Sequence, residues 1–129
     1  MTQKASLPQL LSTVTYLPNR TPEMAFNGGA EGAFAQVAAY RDGAIYTGHY
    51  SGSSEWERHP EGDEIVMALD GKTTVVLLQD GVEERMPLGP GELVVVPRGR
   101  WHRFENSDNL KIFTVTPQPT DHQLEKPEA

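Results

Sequence analysis

The sequence predicts an all-β fold, a sandwich or barrel of short strands. Runs of five to seven residues rich in β-branched and aromatic side chains recur along most of the chain. Glycine-centred turn signals punctuate these runs at short spacing, and no stretch reads convincingly as a helix.

Residues 1–32 carry Pro8, Pro18, Pro22 and the pair Gly28-Gly29 and hold no sustained period, so they read as an irregular arm with one short strand near Leu10–Tyr16. From Phe34 the texture changes. Phe34–Tyr40 and Ala44–Tyr50 read as strands joined by the Arg41-Asp42-Gly43 turn. Ser51–Ser54 is a loop that delivers the chain to Trp56. Ile65–Leu69 and Thr73–Gln79 follow as strands, ending at the hairpin signals Asp70-Gly71 and Asp80-Gly81. Val82–Pro87 is edge-like, Leu93–Val96 a brief apolar strand, and Trp101–Glu105 and Leu110–Thr116 complete the set. The stretch after Pro117 is rich in proline and charge and reads as a loose tail. Three segments result: an arm over 1–32, a barrel over 33–117 and a tail over 118–129.

At 129 residues the chain suits a single domain with a substantial core. With no cysteine, it offers neither a disulfide framework nor a thiolate ligand or nucleophile. Eleven Lys and Arg against eighteen Asp and Glu leave a net charge of −7, which argues against a nucleic-acid partner and an anionic membrane surface. No charged-then-apolar leader and no apolar run of transmembrane length is visible, so a soluble, cytoplasmic protein is the expectation. Arg98, Arg100 and Arg103 form the one basic cluster; it reads either as a solvated loop rim or as a contact for a substrate anion.

The chemistry concentrates in two stretches. Glu55-Trp56-Glu57-Arg58-His59-Pro60-Glu61-Gly62-Asp63-Glu64 brings carboxylates and an imidazole together at short spacing, side chains suited to hard and borderline divalent ions. Glu57 and His59, two apart on an extended strand, point to one face. Pro60 and Gly62 mark a turn, and Glu64 opens an apolar run, where an inward carboxylate needs a partner. The second stretch, Gly91 to Asn106, contributes His102. His49 and His122 match no pattern and read as ordinary hydrogen-bonded histidines. Trp56 and Trp101 flank the candidate ligands, and alternation turns each away from their face, into packing or a subunit contact.

These stretches resemble the paired motifs of the cupin family. Glu57-Arg58-His59, four residues, Glu64, six residues and Gly71 follow the first motif, and Gly91, Pro97, Gly99, His102 and Asn106 fill every position of the second. Two departures stand out: Glu57 replaces the first histidine, and four residues rather than five separate Gly52 from it. The resemblance, which covers about residues 34–116, implies a double-stranded β-helix (jelly-roll) barrel. It also implies a divalent metal ion, iron, manganese, zinc or nickel, held by His59, Glu64, His102 and the residue at the position of Glu57. The roles open to Glu57 are direct ligand, general base beside a three-ligand site of His59, Glu64 and His102, and mark of a barrel that no longer binds metal.

The glycines and Pro97 set turns that aim the His102 strand inward. Tyr46 or His49, Met67 or Leu69, and Phe104 are the candidates for the remaining pocket wall, with the strand parity unreadable. The expected function is a metal-dependent enzyme, an oxygenase or an isomerase or lyase, acting on a small organic molecule inside the barrel. A non-catalytic small-molecule binding or sensing barrel, with or without metal, is the alternative. Small cupins commonly pair through barrel edges, so a homodimer is the expected assembly.

Overall fold

The computed structural model describes residues 2–129. In chain order the elements are α1 (Leu7–Leu11), β1 (Leu17–Arg20), α2 (Met24–Asn27), β2 (Phe34–Tyr40), β3 (Gly43–Gly52), β4 (Trp56–Arg58), β5 (Glu64–Gln79), β6 (Val82–Leu88), β7 (Leu93–Val96), β8 (His102–Pro117) and β9 (Asp121–Gln123). All nine strands belong to one sheet, and the all-β expectation holds. No helix is long and apolar enough to cross a membrane among the described residues.

Two 16-residue strands, β5 and β8, form the spine and pair antiparallel along most of their length. Asp70-Gly71 is therefore not the hairpin that the sequence suggests, and Trp101–Glu105 and Leu110–Thr116 are not separate strands. Both long strands continue through irregular corners, with register shifts between Ala68 and Thr74 against β8. The backbone at the corner takes left-handed values, φ +70° at Gly71 and +53° and +49° at Asn106 and Asn109, which Gly and Asn tolerate best. Beyond the corners, the first half of β5 carries β7 and the second half carries β6, while β3 covers the second half of β8. The Arg41–Gly43 and Asp80-Gly81 turns close hairpins as expected.

Alternation then sorts the side chains. Val66, Ala68, Val75 and Leu77 of β5 face Phe104, Leu110 and Ile112 of β8 in the main core, joined by Tyr50 of β3. The opposite parity builds a second cluster, in which Trp56 and Trp101 pack with Val76 and Leu78. Both tryptophans thus turn away from the candidate ligands into packing.

The terminal segments differ from the expected arm and tail. Instead of a strand near Leu10–Tyr16 there is a helix, α1, capped by the Ser6 hydroxyl and carrying proline in its first turn, both helix-start signals. The strand comes later, as β1, and runs parallel to β3. The last twelve residues are not loose: β9 pairs with β4, Pro127 is buried, and the Gly81 amide donates to the Ala129 carbonyl. Charge and proline in this stretch masked a three-residue strand too short to show a period.

Candidate metal centre and its cavity

Glu57 on β4 and His59, just past its end, turn to one cluster, two residues apart. Glu57 lies directly opposite His102 on β8, and Glu64 begins β5 after the Pro60–Asp63 turn. Two bonds lock that turn to the other motif: the Gly99 amide donates to the His59 carbonyl at 2.9 Å, and the Arg98 amide to the Asp63 carboxylate at 2.7 Å. Sequence-distant ligand candidates are therefore held by backbone contacts between two turns.

The four residues converge. Each of Glu57, His59, Glu64 and His102 offers one donor atom, and these atoms all lie within 4.8 Å of one another. Glu64 Oε1 is 3.0 Å from His102 Nε2 and 3.2 Å from His59 Nε2, while Glu57 Oε1 is 3.5 Å from His102 Nε2. His59, Glu64 and His102 are buried, and Glu57 is 15 % exposed.

Bonds on the far sides of the rings orient these atoms. His102 Nδ1 donates to the Arg100 carbonyl at 3.0 Å. His59 Nδ1 lies 2.9 Å from the Thr120 hydroxyl, which itself donates to Gln118 Oε1 and so accepts from the imidazole. Both rings thereby direct Nε2 into the cluster. His59 Nε2, although 3.2 Å from Glu64, is misaligned for a hydrogen bond and is a buried nitrogen without a partner. Glu64 Oε2 accepts from Thr116 at 2.6 Å. Two imidazoles of fixed orientation, an orphaned Nε2 and two carboxylates form a donor set that fits a divalent ion.

The buried carboxylates and imidazoles perturb one another strongly. Burial alone raises the Glu64 carboxyl, but the hydrogen bond from His102 and the nearby His59 imidazole outweigh it and hold Glu64 at about 2. Burial alone lowers His102, and the opposing bonds to Glu57 and Glu64 raise it to about 10. An imidazolium–carboxylate pair thus occupies the centre.

The cluster opens into a cavity of about 390 Å³. Tyr46 and Phe104 line it; His49, Met67 and Leu69 do not, which settles the parity that the sequence left open. Arg98, Arg100 and Arg103 lie outside it. Arg100 instead bonds Gln79, and Arg103 stacks on Trp56. Sequence reasoning missed Arg20, Thr116, Thr120 and His122 as lining residues. None belongs to a motif, and Arg20 and His122 come from the terminal segments. These two meet on buried Glu55, whose Oε2 lies 2.6 Å from His122 Nδ1 and whose Oε1 lies 3.6 Å from Arg20. The bond to Glu55 raises His122 above its ordinary value.

Among known proteins, the acireductone dioxygenase of Rhodopseudomonas palustris (strain TIE-1) is 43% identical over 60 residues, which is 46% of this chain and 36% of that one. An uncharacterised protein of Acanthamoeba polyphaga mimivirus is 32% identical over 71 residues, 53% of this chain and 43% of that one. The chain thus spans less than half the length of these curated relatives. A crystal structure of a cupin-2 domain protein from Shewanella frigidimarina superposes with a TM-score of 0.56 at 21% identity, covering 66% of this chain and 79% of that one. The cupin domain family matches residues 46–116, more than half of the chain. With the strand order and the paired motifs already described, that match makes the protein a member of the cupin family.

Proposed function

We propose that this cupin binds a divalent metal ion through Glu57, His59, Glu64 and His102 and acts on a small organic molecule inside the barrel. The observation that carries the reading is the convergence of the four donor atoms within 4.8 Å at a cavity of about 390 Å³. Bound there, a divalent ion supplies Lewis acidity, and iron or manganese supplies redox chemistry as well. The likeness to an acireductone dioxygenase favours the oxygenase branch over isomerase or lyase chemistry.

The chain's own residues carry the rest. Thr120 and the Arg100 carbonyl keep each Nε2 directed inward. Thr116 holds Glu64 in place. Glu57 is the most accessible of the four and sits on the cavity wall, which suits a carboxylate that takes a proton from a bound substrate. Exposed Leu93 and Val95 on edge strand β7 support a homodimer through that face.

Elemental analysis of protein purified without chelator or nickel resin, beside a His102→Ala variant, tests the reading. Near-stoichiometric metal that disappears in the variant is expected, followed by oxygen consumption with candidate substrates if the ion is iron or manganese. A second reading, a metal-free binding barrel, draws on the pairing of Glu64 with His102 and Thr116, which satisfies both carboxylate oxygens without an ion. Protein that is isolated metal-free and takes up no added ion would establish that second reading instead.

A further inference from the structure

We propose that Arg20 binds the carboxylate of the molecule this cavity takes, which makes the ligand class a small monocarboxylic acid with an apolar body. The inference rests on the reading that the cavity is a small-molecule site, and it adds the charge and orientation of the ligand.

Arg20 enters the cavity from outside the paired motifs. β1 lies parallel to β3 with Arg20 opposite Gly52. Gly52 has φ +110°, and a Cβ there would fall 2.2 Å from the Arg20 carbonyl oxygen, so glycine permits the close approach. The guanidinium then lies over two rings, with its carbon 5.1 Å from the Phe34 centroid and 4.7 Å from that of Tyr50. Stacking of this kind holds the planar fork in place before any ligand arrives.

Its guanidinium makes no well-aligned hydrogen bond to a carboxylate of the protein. Arg20 is 14 % exposed, and its contact with Glu55, at 3.6 Å, is too long for a hydrogen bond. The other Glu55 oxygen belongs to His122. Tyr50 Oη, beside the same guanidinium, is fully buried with no hydrogen-bond partner. A guanidinium carries five N–H groups, and leaving them unpaired in a recess is costly. No other Lys or Arg among the described residues lines the cavity. Glu64 repels an acid group at the four-residue cluster, Glu57 is shared by that cluster and the Glu55–His122 pair, and Phe34, Phe104 and Ile112 supply apolar wall. A carboxylate at Arg20 with an apolar body reaching toward the four-residue cluster satisfies each of these features.

Calorimetric titration of the full chain with benzoate, isovalerate and the neutral isostere benzamide, in the presence of chelator, tests the proposal. Benzoate should bind roughly tenfold or more tightly than benzamide, the size expected of a charge-assisted hydrogen bond. Arg20→Gln should abolish the difference. In the ¹⁵N-labelled wild type the Arg20 Nε–H resonance should shift with benzoate and not with benzamide, a readout that stands even if the variant does not fold. Absence of saturable binding by either acid, equal binding of benzoate and benzamide, a preference that survives in folded Arg20→Gln, or an unmoved Arg20 resonance would overturn it. Chelator separates this outcome from the metal reading: a protein that never holds metal but prefers benzoate through Arg20 keeps the anion site and loses the enzyme, and a metal-loaded protein indifferent to both acids does the reverse.

Discussion

Glu64 and His102 meet at 3.0 Å, carboxylate oxygen to imidazole nitrogen, with neither side chain more than 3 % exposed. A pair buried this deeply is held by mutual compensation, because each charge alone pays a desolvation penalty that only its partner offsets. Glu64→Ala should therefore destabilise the chelator-treated protein by about 3–5 kcal/mol. The double replacement Glu64→Leu with His102→Leu should cost less than that single change. Urea denaturation of the three proteins measures this, and a double variant weaker than Glu64→Ala would show that the pair is not the source of the cost.

The same pair sets a pH window for the metal-free protein. His102 is raised from 6.5 to about 10, so its contribution is fully present below pH 6.5 and is lost as the pH rises through about 10. Glu64 is lowered from 4.5 to about 2, so its contribution is present above pH 4.5 and is lost as the pH falls through about 2. Melting temperatures in chelator should thus hold a plateau between pH 4.5 and 6.5 and decline on the alkaline side. The advantage of wild type over His102→Gln should shrink from pH 6.5 to 10; a constant gap across that range would be the contrary result.

Metal uptake should release a proton, since an ion and a proton compete for His102 Nε2. Calorimetry at pH 7 in buffers of different ionisation enthalpy reads this directly. The observed heat should vary with the buffer, and a buffer-independent heat would mean that His102 is already neutral before the ion arrives.

The C-terminal segment should matter to metal affinity although it contributes no ligand. Thr120 orients His59, and β9 clasps β4. Thr120→Val should lower affinity by about 10-fold to 100-fold, the usual scale for a partner that orients a ligating histidine. Removal of residues 118–129 should lower the melting temperature as well, because it strips β9 from β4 and loses the burial of Pro127. Competition with a chelating dye gives the first quantity, and unchanged affinity in Thr120→Val would remove the orienting role.

Two glycines with nearly the same backbone should respond differently. Gly71 has φ +70°, and a Cβ would lie 2.1 Å from the Asn109 carbonyl oxygen, whereas Gly81 has φ +75° and open space. Gly81→Ala should cost on the order of 1 kcal/mol from backbone strain alone. Gly71→Ala should cost clearly more, because the β5 and β8 corners must separate. Equal losses in thermal or urea unfolding would mean that the corner yields without resistance.

The sequence by itself determined whatever depends on short spacing. Period-two alternation placed Glu57 with His59 and turned Trp56 and Trp101 outward, and glycine turns located the hairpins after Tyr40 and Gln79. Fixed offsets from Gly71, Pro97 and Gly99 singled out His59, Glu64 and His102, which the fold does bring together. Only the tertiary structure decided that β5 and β8 run on through their corners, since Asp70-Gly71 reads the same locally in a bend and in a hairpin. It alone chose Tyr46 over His49 for the cavity, because parity is settled by which face the neighbouring strands bury. It also brought Arg20 and His122 onto one carboxylate, Glu55, from opposite ends of the chain. Contacts of that separation leave no local pattern; they exist because β1 and β9 find unpaired edges on β3 and β4, and backbone groups there gain hydrogen bonds only when the terminal strands dock.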